Sequence, residues 1–258
     1  MGQANGAERM IIAANWKMNP ALDVAGGLAL ALTARNFAPV TRLLFAPHPY
    51  LVPMSVRLGG SDVRLGGQDC HQDTVGAHTG DVSAAMLRDC GASVVLLGHS
   101  ERRADHGESS ALVAAKAAQA LAHDLDVVIC LGESLDERRA GRAEQIVIDQ
   151  LHASLPKEFP EGRVMIAYEP VWAIGTGEVA SVTDIAAMHA AITSELPKSK
   201  NGHMPPPILY GGSVNAENAA SIFAVDHVGG ALVGGASLDA AAFDSICDSA
   251  RLQMLKSG

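Results

Sequence analysis

AYEPVWAIGTGEVAS, residues 167–181, sets one carboxylate, Glu169, at the end of a short apolar run and follows it with two glycines. A strand carrying Val164, Ile166 and Tyr168 would deliver Glu169 to whatever lies at its carboxyl end. Pro170 has no N–H to donate and stops the ladder there. The stretch Val171–Glu178 holds Gly175 and Gly177, which can take positive φ and bring bare backbone N–H groups close to an anion. The order suits a base followed by a lid.

Working outward, short apolar runs rich in β-branched residues alternate with Ala- and Leu-rich stretches of helical period, the βα alternation of a parallel sheet. Strands are expected at Met10–Ala14, Arg42–Ala46, Val63–Leu65, Ser93–Leu97, Val127–Leu131, Arg163–Tyr168, Ile208–Tyr210 and Gly230–Val233. Helices are expected at Ala21–Arg35, Tyr50–Arg57, Ala84–Asp89, Ser109–Asp124, Arg142–Ser154, Thr183–Leu196, Ala216–Ile222 and Leu238–Arg251, with Ser83, Ser109 and Thr183 as caps. Eight units over 258 residues average about 32 residues each, which suits an α/β fold of the (β/α)8 kind with a closed, parallel, eight-stranded sheet of ~250 residues. A Pro-rich turn at Pro205–Pro207 is the only interruption, so residues 1–258 read as a single domain with 1–9 as a flexible N-terminal extension. A doubly wound open sheet would want G-x-G-x-x-G opening its first helix, and Asn15–Pro20 does not supply it.

The hydrophobic share of 48% is enough for a sizeable core, and 19 basic against 28 acidic residues give a net charge of −9. Such a field argues against nucleic acid, and an anionic ligand would need local positive groups. Cys70, Cys90, Cys130 and Cys247 lie far apart without a C-x-x-C, and MGQANGAER lacks the apolar core of a signal peptide. Reduced thiols in the cytoplasm are the expectation. Gly6 stands where a myristoylation signal needs Ser or Thr, and no apolar stretch approaches the ~18 residues of a membrane span.

Active sites of such barrels lie at the carboxyl ends of the strands. After the first expected strand come Asn15 and Lys17, which alternation puts on one side with Trp16 on the other. After the fourth come His99, Ser100 and Glu101, and after the sixth Glu169. His99 follows VVLLG and opens a short turn, SERR, whose backbone N–H groups would face the imidazole and favour its neutral form. Glu101 either orients Lys17 by a charge-assisted pair or serves as an ordinary partner of Arg102 or Arg103. Gly211-Gly212-Ser213 and Gly234-Gly235 follow strands seven and eight, where barrels often bind phosphate, whereas Gly59-Gly60 and Gly66-Gly67 read as turns.

NWK at 15–17, GHSERR at 98–103, the Glu169 segment, YGGS at 210–213 and LVGGAS at 232–237 together resemble the triosephosphate isomerase family over nearly the whole chain. The resemblance implies a TIM barrel that interconverts dihydroxyacetone phosphate and D-glyceraldehyde 3-phosphate through an enediolate, in glycolysis and gluconeogenesis, with no metal or organic cofactor. It assigns Glu169 as the base, His99 as the electrophile, Lys17 as the positive charge at the enediolate and Asn15 as its orienting neighbour. Gly175, Ser213, Gly234 and Gly235 would supply N–H groups to phosphate. Tyr210 and Ser213 would hold the closed lid, with Pro170, Trp172 and Gly177 in its supports. The resemblance further implies that His99 acts as a neutral imidazole, donating a hydrogen bond to a carbonyl and returning a proton between two substrate oxygens.

QDCHQDTVGAHTGD, Gln68–Asp81, is similar to the family's long third loop, which implies a homodimer with Thr79 near the partner's Asn15. Asp69, His78, Glu178 and Gly229 depart from the residues common at their positions. A Schiff-base aldolase would want a lysine where Glu169 stands, and a zinc aldolase or epimerase would want three converging ligands, which His48, His71 and His99 do not suggest. An isomerase of a four-carbon sugar phosphate would use the same catalytic set. A phosphate-binding protein without activity would need no Glu169, His99 and Lys17 together.

Overall fold

A computed structural model of the chain describes residues 10–174, 179–197 and 205–257. Eight parallel strands close on themselves in sequence order: β1 (Ile11–Asn15), β2 (Thr41–Phe45), β3 (Val63–Gly67), β4 (Val94–Leu97), β5 (Asp126–Leu131), β6 (Val164–Tyr168), β7 (Ile208–Tyr210) and β8 (Gly230–Val233), with β1 paired to β8. Around them lie α1 (Leu22–Thr33), α2 (Leu51–Arg57), α3 (Ala84–Asp89), α4 (Ser100–His106), α5 (Ser110–Ala122), α6 (Leu135–Arg139), α7 (Ala143–Ser154), α8 (Val182–Glu195), α9 (Ala219–Phe223) and α10 (Ala240–Ser257).

Period-two alternation divides the core into two layers. Leu43, Phe45, Val94, Leu96, Val128 and Met165 fill the barrel, while Ile12, Ala14, Trp16, Leu44, Val95 and Ile129 face the helices. Gly66 and Gly67 are strand residues of β3, not a turn. A Cβ at Gly66 would stand 2.5 Å from the Phe45 ring and 2.9 Å from Val94, so glycine there makes room for an aromatic inside the barrel. The strand-start end is closed by ions: Arg64 pairs with Asp126 at 2.6 Å and Arg163 with the same carboxylate at 2.7 Å.

Ser83 and Ser109 cap α3 and α5, accepting from the N–H groups of Met86 and Leu112. For α8 the cap is Ser181, not Thr183: Asp184 reaches back to the Ser181 N–H and completes a capping box two residues earlier. The SERR turn is the first part of a helix, α4, and α6 is a second short helix that the apolar period did not reveal. Leu238 belongs to a 3-10 turn, Gly235–Leu238, that precedes α10.

Candidate active site

The interior-facing series Met165, Ala167, Glu169 runs up β6 and carries Glu169 out at the mouth of the barrel. The Glu169 N–H still donates to Leu131 O at 2.7 Å, and Gly211 donates to Tyr168 O at 2.7 Å, so backbone on both sides holds the carboxylate. Glycine is required beside it. A Cβ at Gly132 would meet Glu169 O at 1.8 Å, and one at Gly211 would meet the Glu169 Cγ at 2.8 Å. Asn15, Lys17, His99 and Glu169 line one cavity of about 320 Å³ with Gly211, Ser213, Gly234 and Gly235.

Beyond β1 the chain turns sharply: Lys17 has φ of 53°, a left-handed backbone that a non-glycine residue adopts at a cost of about 1–2 kcal/mol. The Lys17 N–H donates to Asn15 Oδ1 at 3.0 Å, and Gln68 Nε2 donates to Lys17 O at 2.9 Å. This hydrogen bonding keeps Trp16 in the helix-facing core and returns Lys17 to the cavity side. Lys17 Nζ pairs with Glu101 at 2.6 Å, so Glu101 takes the lysine, while Arg102 and Arg103 go elsewhere, to Glu108 and to the carbonyls of Gly98 and Cys130.

His99 caps α4 with its own ring: the Glu101 N–H donates to Nδ1 at 3.3 Å. Its other nitrogen, Nε2, lies 2.9 Å from Glu169 Oε1, and the Ser100 N–H donates to Glu169 Oε2 at 3.0 Å. Burial works against charge on either group. For Glu169 the neighbouring imidazole, the Ser100 N–H and Lys17 outweigh it and hold the carboxyl below its usual range. For His99 burial lowers the pKa, but Glu169 and Glu101 outweigh it and draw the ring upward. The N–H on Nδ1 occupies the lone pair that a second proton would need, which favours the tautomer with Nε2–H donating to Glu169.

On the opposite wall, the Ser213 hydroxyl donates to Ala173 O at 2.9 Å, tying the segment after Glu169 to the end of β7. Among the described residues, no atom beyond its own chain neighbours lies within 4 Å of where a Cβ at Gly235 would stand, so packing there does not demand glycine. Pro170 is buried, and the Trp172 indole donates to Glu133 Oε1 at 2.8 Å with Arg138 over its ring. Tyr168 OH donates to the same Glu133 oxygen at 3.2 Å. Burial of Tyr210 pushes its phenol up to about 12. Gly175, Gly177 and Glu178 lie outside the described residues. Thr79 is exposed on its loop and does not line the cavity of its own chain.

Glu133 was missed in the sequence, although LGES at 131–134 puts a carboxylate just after the fifth strand, the same signal that singled out Glu169. It is fully buried at the root of the segment that follows Glu169. Burial raises its pKa, against the indole, phenol and guanidinium that favour the anion.

A model of the family described as triosephosphate isomerase matches residues 10–250. The triosephosphate isomerase of Caulobacter vibrioides is 50% identical over 244 residues, spanning 92% of this chain and 95% of the relative. That of Acidiphilium cryptum is also 50% identical, over 249 residues, spanning 93% and 98%. The crystal structure of triosephosphate isomerase from Bartonella henselae superposes with a TM-score of 0.87 at 40% identity, covering 94% of this chain and 99% of that one. With the closed barrel and nearly end-to-end likeness in sequence, the chain belongs to the triosephosphate isomerase family.

Proposed function

We propose that this enzyme interconverts dihydroxyacetone phosphate and D-glyceraldehyde 3-phosphate, in glycolysis and gluconeogenesis, by moving one proton between adjacent carbons. The observation that carries the reading is the convergence of Glu169, His99 and Lys17 on one cavity whose far wall is glycine backbone. A carboxylate held below its usual pKa is ionised and ready to accept a proton. Glu169 takes the proton from the carbon beside the carbonyl. The electrons move onto the carbonyl oxygen, where Lys17 Nζ and His99 Nε2–H face the growing negative charge. The same carboxyl returns the proton to the neighbouring carbon, while His99 gives its Nε2 proton to one oxygen and recovers one from the other. The N–H groups of Ser213, Gly234 and Gly235 suit the phosphate dianion, which a protein of charge −9 otherwise repels. Asn15 holds the turn that presents Lys17.

We further infer a homodimer in the cytoplasm. Val75 on the 68–81 loop is 81% exposed and Met18 beside Lys17 is 94% exposed, apolar surface that a second copy would cover. All four cysteines are free, and no helix among the described residues is long and apolar enough to cross a membrane. The experiment that tests the chemistry is a coupled assay in which a dehydrogenase oxidises only the aldehyde product. Turnover of dihydroxyacetone phosphate supports the reading, and its absence in folded protein refutes it.

A further inference from the structure

Glu169 lies against the backbone that ends β5, and a side chain from outside the barrel grips that backbone at its centre. Resting on the isomerase reading, we propose that Gln150, on α7, is a positioning residue for the base: its carboxamide fixes Gly132 and, through Gly132, the place of Glu169.

Residues 131–133 run beside residues 169–171. The Glu169 N–H donates to Leu131 O at 2.7 Å, and the Val171 N–H donates to Glu133 O at 3.1 Å. Between these two bonds stands the Glu169–Pro170 peptide, whose nitrogen carries no hydrogen, so at this point the two segments meet by contact. The contact is close. A Cβ on Gly132 would stand 1.8 Å from Glu169 O, 2.8 Å from its carbonyl carbon and 3.3 Å from Val171 Cγ2. In a close-packed interior a shift of Gly132 toward β6 is therefore passed to the residue that carries the base.

Gly132 lies past the end of both ladders of β5, which stop at Ile129 against β4 and at Leu131 against β6. Gln150 supplies the missing partner. Its Oε1 accepts from the Gly132 N–H at 2.9 Å, and its Nε2 donates to Gly132 O at 2.9 Å. A carboxamide offers the same donor and acceptor as a peptide, so this ring of two bonds stands in for a strand neighbour. Val147 and Leu151, buried on the core side of α7, fix the reach of the Gln150 side chain. Two residues before Gly132, Arg103 Nη2 donates to Cys130 O at 3.1 Å and braces the same strand end from α4. Gln150 does not line the catalytic cavity, so its effect on rate passes through Gly132.

The test compares wild type, Gln150→Met, Gln150→Glu and Gln145→Met in the coupled assay, with dihydroxyacetone phosphate and with the same substrate deuterated at the carbon that yields the proton. Gln150→Met keeps the length of the side chain and removes both bonds. Gln150→Glu is isosteric, keeps the acceptor for the Gly132 N–H and sets an oxygen against Gly132 O. Each should lower kcat by about tenfold or more, since a misplacement of about 1 Å can cost about 10² in rate. KM, and competitive inhibition by inorganic phosphate, should stay near the wild-type values, because the glycine wall at 211–213 and 234–235 is untouched. The deuterium isotope effect on kcat/KM should rise toward its intrinsic size in both, because a displaced base slows proton transfer itself. A merely structural loss lowers the active fraction and leaves the isotope effect as it was. Gln145→Met, whose exposed amide donates to Asp149 at 2.8 Å, should match wild type. A wild-type isotope effect in a folded Gln150 variant, a loss confined to KM, or failure of both Gln150 variants to fold overturns the positioning role. A wild-type chain without turnover refutes the isomerase reading instead, so the two failures are distinct.

Discussion

The Nε2 atom of His99 lies 2.9 Å from Oε1 of Glu169, so the proposed electrophile and the proposed base hold each other. Substrate has to part them, placing its carbonyl on His99 and its carbon on Glu169. This arrangement keeps the carboxylate buried and favours its ionised form. Glu169→Gln is isosteric and should fold normally and still bind a phosphate-bearing ligand. Its kcat should fall by ~10² or more in the coupled assay, the scale of lost general base catalysis. Near-normal turnover would remove Glu169 from the mechanism.

Gly211 tests the same group from behind, because a Cβ there meets Glu169 Cγ at 2.8 Å and Tyr168 O at 3.1 Å. Gly211→Ala should displace the carboxylate by a fraction of an ångström to an ångström. A misplacement of that size can cost about 10² in rate. The loss should fall on kcat, with KM little changed, whereas Gly235→Ala should act mainly on KM by intruding on the phosphate. Initial-rate kinetics of the two variants separate these outcomes, and a pure KM effect in Gly211→Ala would count against the placement.

Lys17 and Lys116 look interchangeable in a list of cations, and the fold makes them opposites. Lys116 sits in the Ala-rich α5, and a lysine on an outer helix ordinarily faces solvent. Instead it is buried, with Asp69 at 2.8 Å and Glu108 at 2.6 Å from its Nζ. Removing it leaves two carboxylates short of their cation, so Lys116→Met should lower stability by about 3–5 kcal/mol in denaturant titration. Lys17→Ala should leave the denaturation midpoint nearly unchanged and weaken a phosphate-bearing transition-state mimic strongly. A stable Lys116→Met would show that the buried pair is dispensable.

The strands were legible because alternation and β-branched runs are local properties, and the candidate residues that line the cavity could be picked out because they stand just after such runs. What escaped has non-local causes. Gly66-Gly67 looks like a turn until Phe45, from the neighbouring strand, is seen to need the space. SERRADH has no apolar face and yet forms α4, because His99 caps it and Gly107 ends it with φ of 66°. Ser181 outcompetes Thr183 as a cap because Asp184 stands three residues after it. Lys116 is buried by carboxylates 47 residues before it and eight residues before it, a pairing no helical period reveals.

The exposed apolar side chain of Val75 bears on assembly. If the 68–81 loop enters a second copy, Val75→Asp puts a charge into that contact and should weaken the dimer by at least about a hundredfold, roughly 2.7 kcal/mol. Sedimentation across a concentration series would show it as a shift toward monomer. A wild-type chain that is monomeric and fully active at nanomolar concentration would refute the dimer itself.

His189 sets the pH dependence of stability. It lies fully buried on α8 behind the site, with rings of Tyr168 and Tyr210 centred 5.9 and 6.5 Å away. Its Nδ1–H donates to His227 O at 3.1 Å, while Nε2 has no hydrogen-bond partner among the described residues. Burial lowers its pKa from 6.5 to about 4, because a proton on Nε2 would put a charge among the two tyrosines. The depressed value fixes the sign: between about pH 6.5 and 4 the unfolded chain binds a proton there that the folded chain does not. Stability from this residue is therefore present above 6.5 and lost as pH falls toward 4. Between pH 7 and pH 5 the loss amounts to about 2 kcal/mol. His189→Gln keeps an amide that can donate to His227 O and removes the titration. Urea denaturation at the two pH values should show wild-type losing about 2 kcal/mol more than the variant on acidification. An equal loss in both would mean that His189 is protonated in the folded protein, or that it takes up its proton without cost.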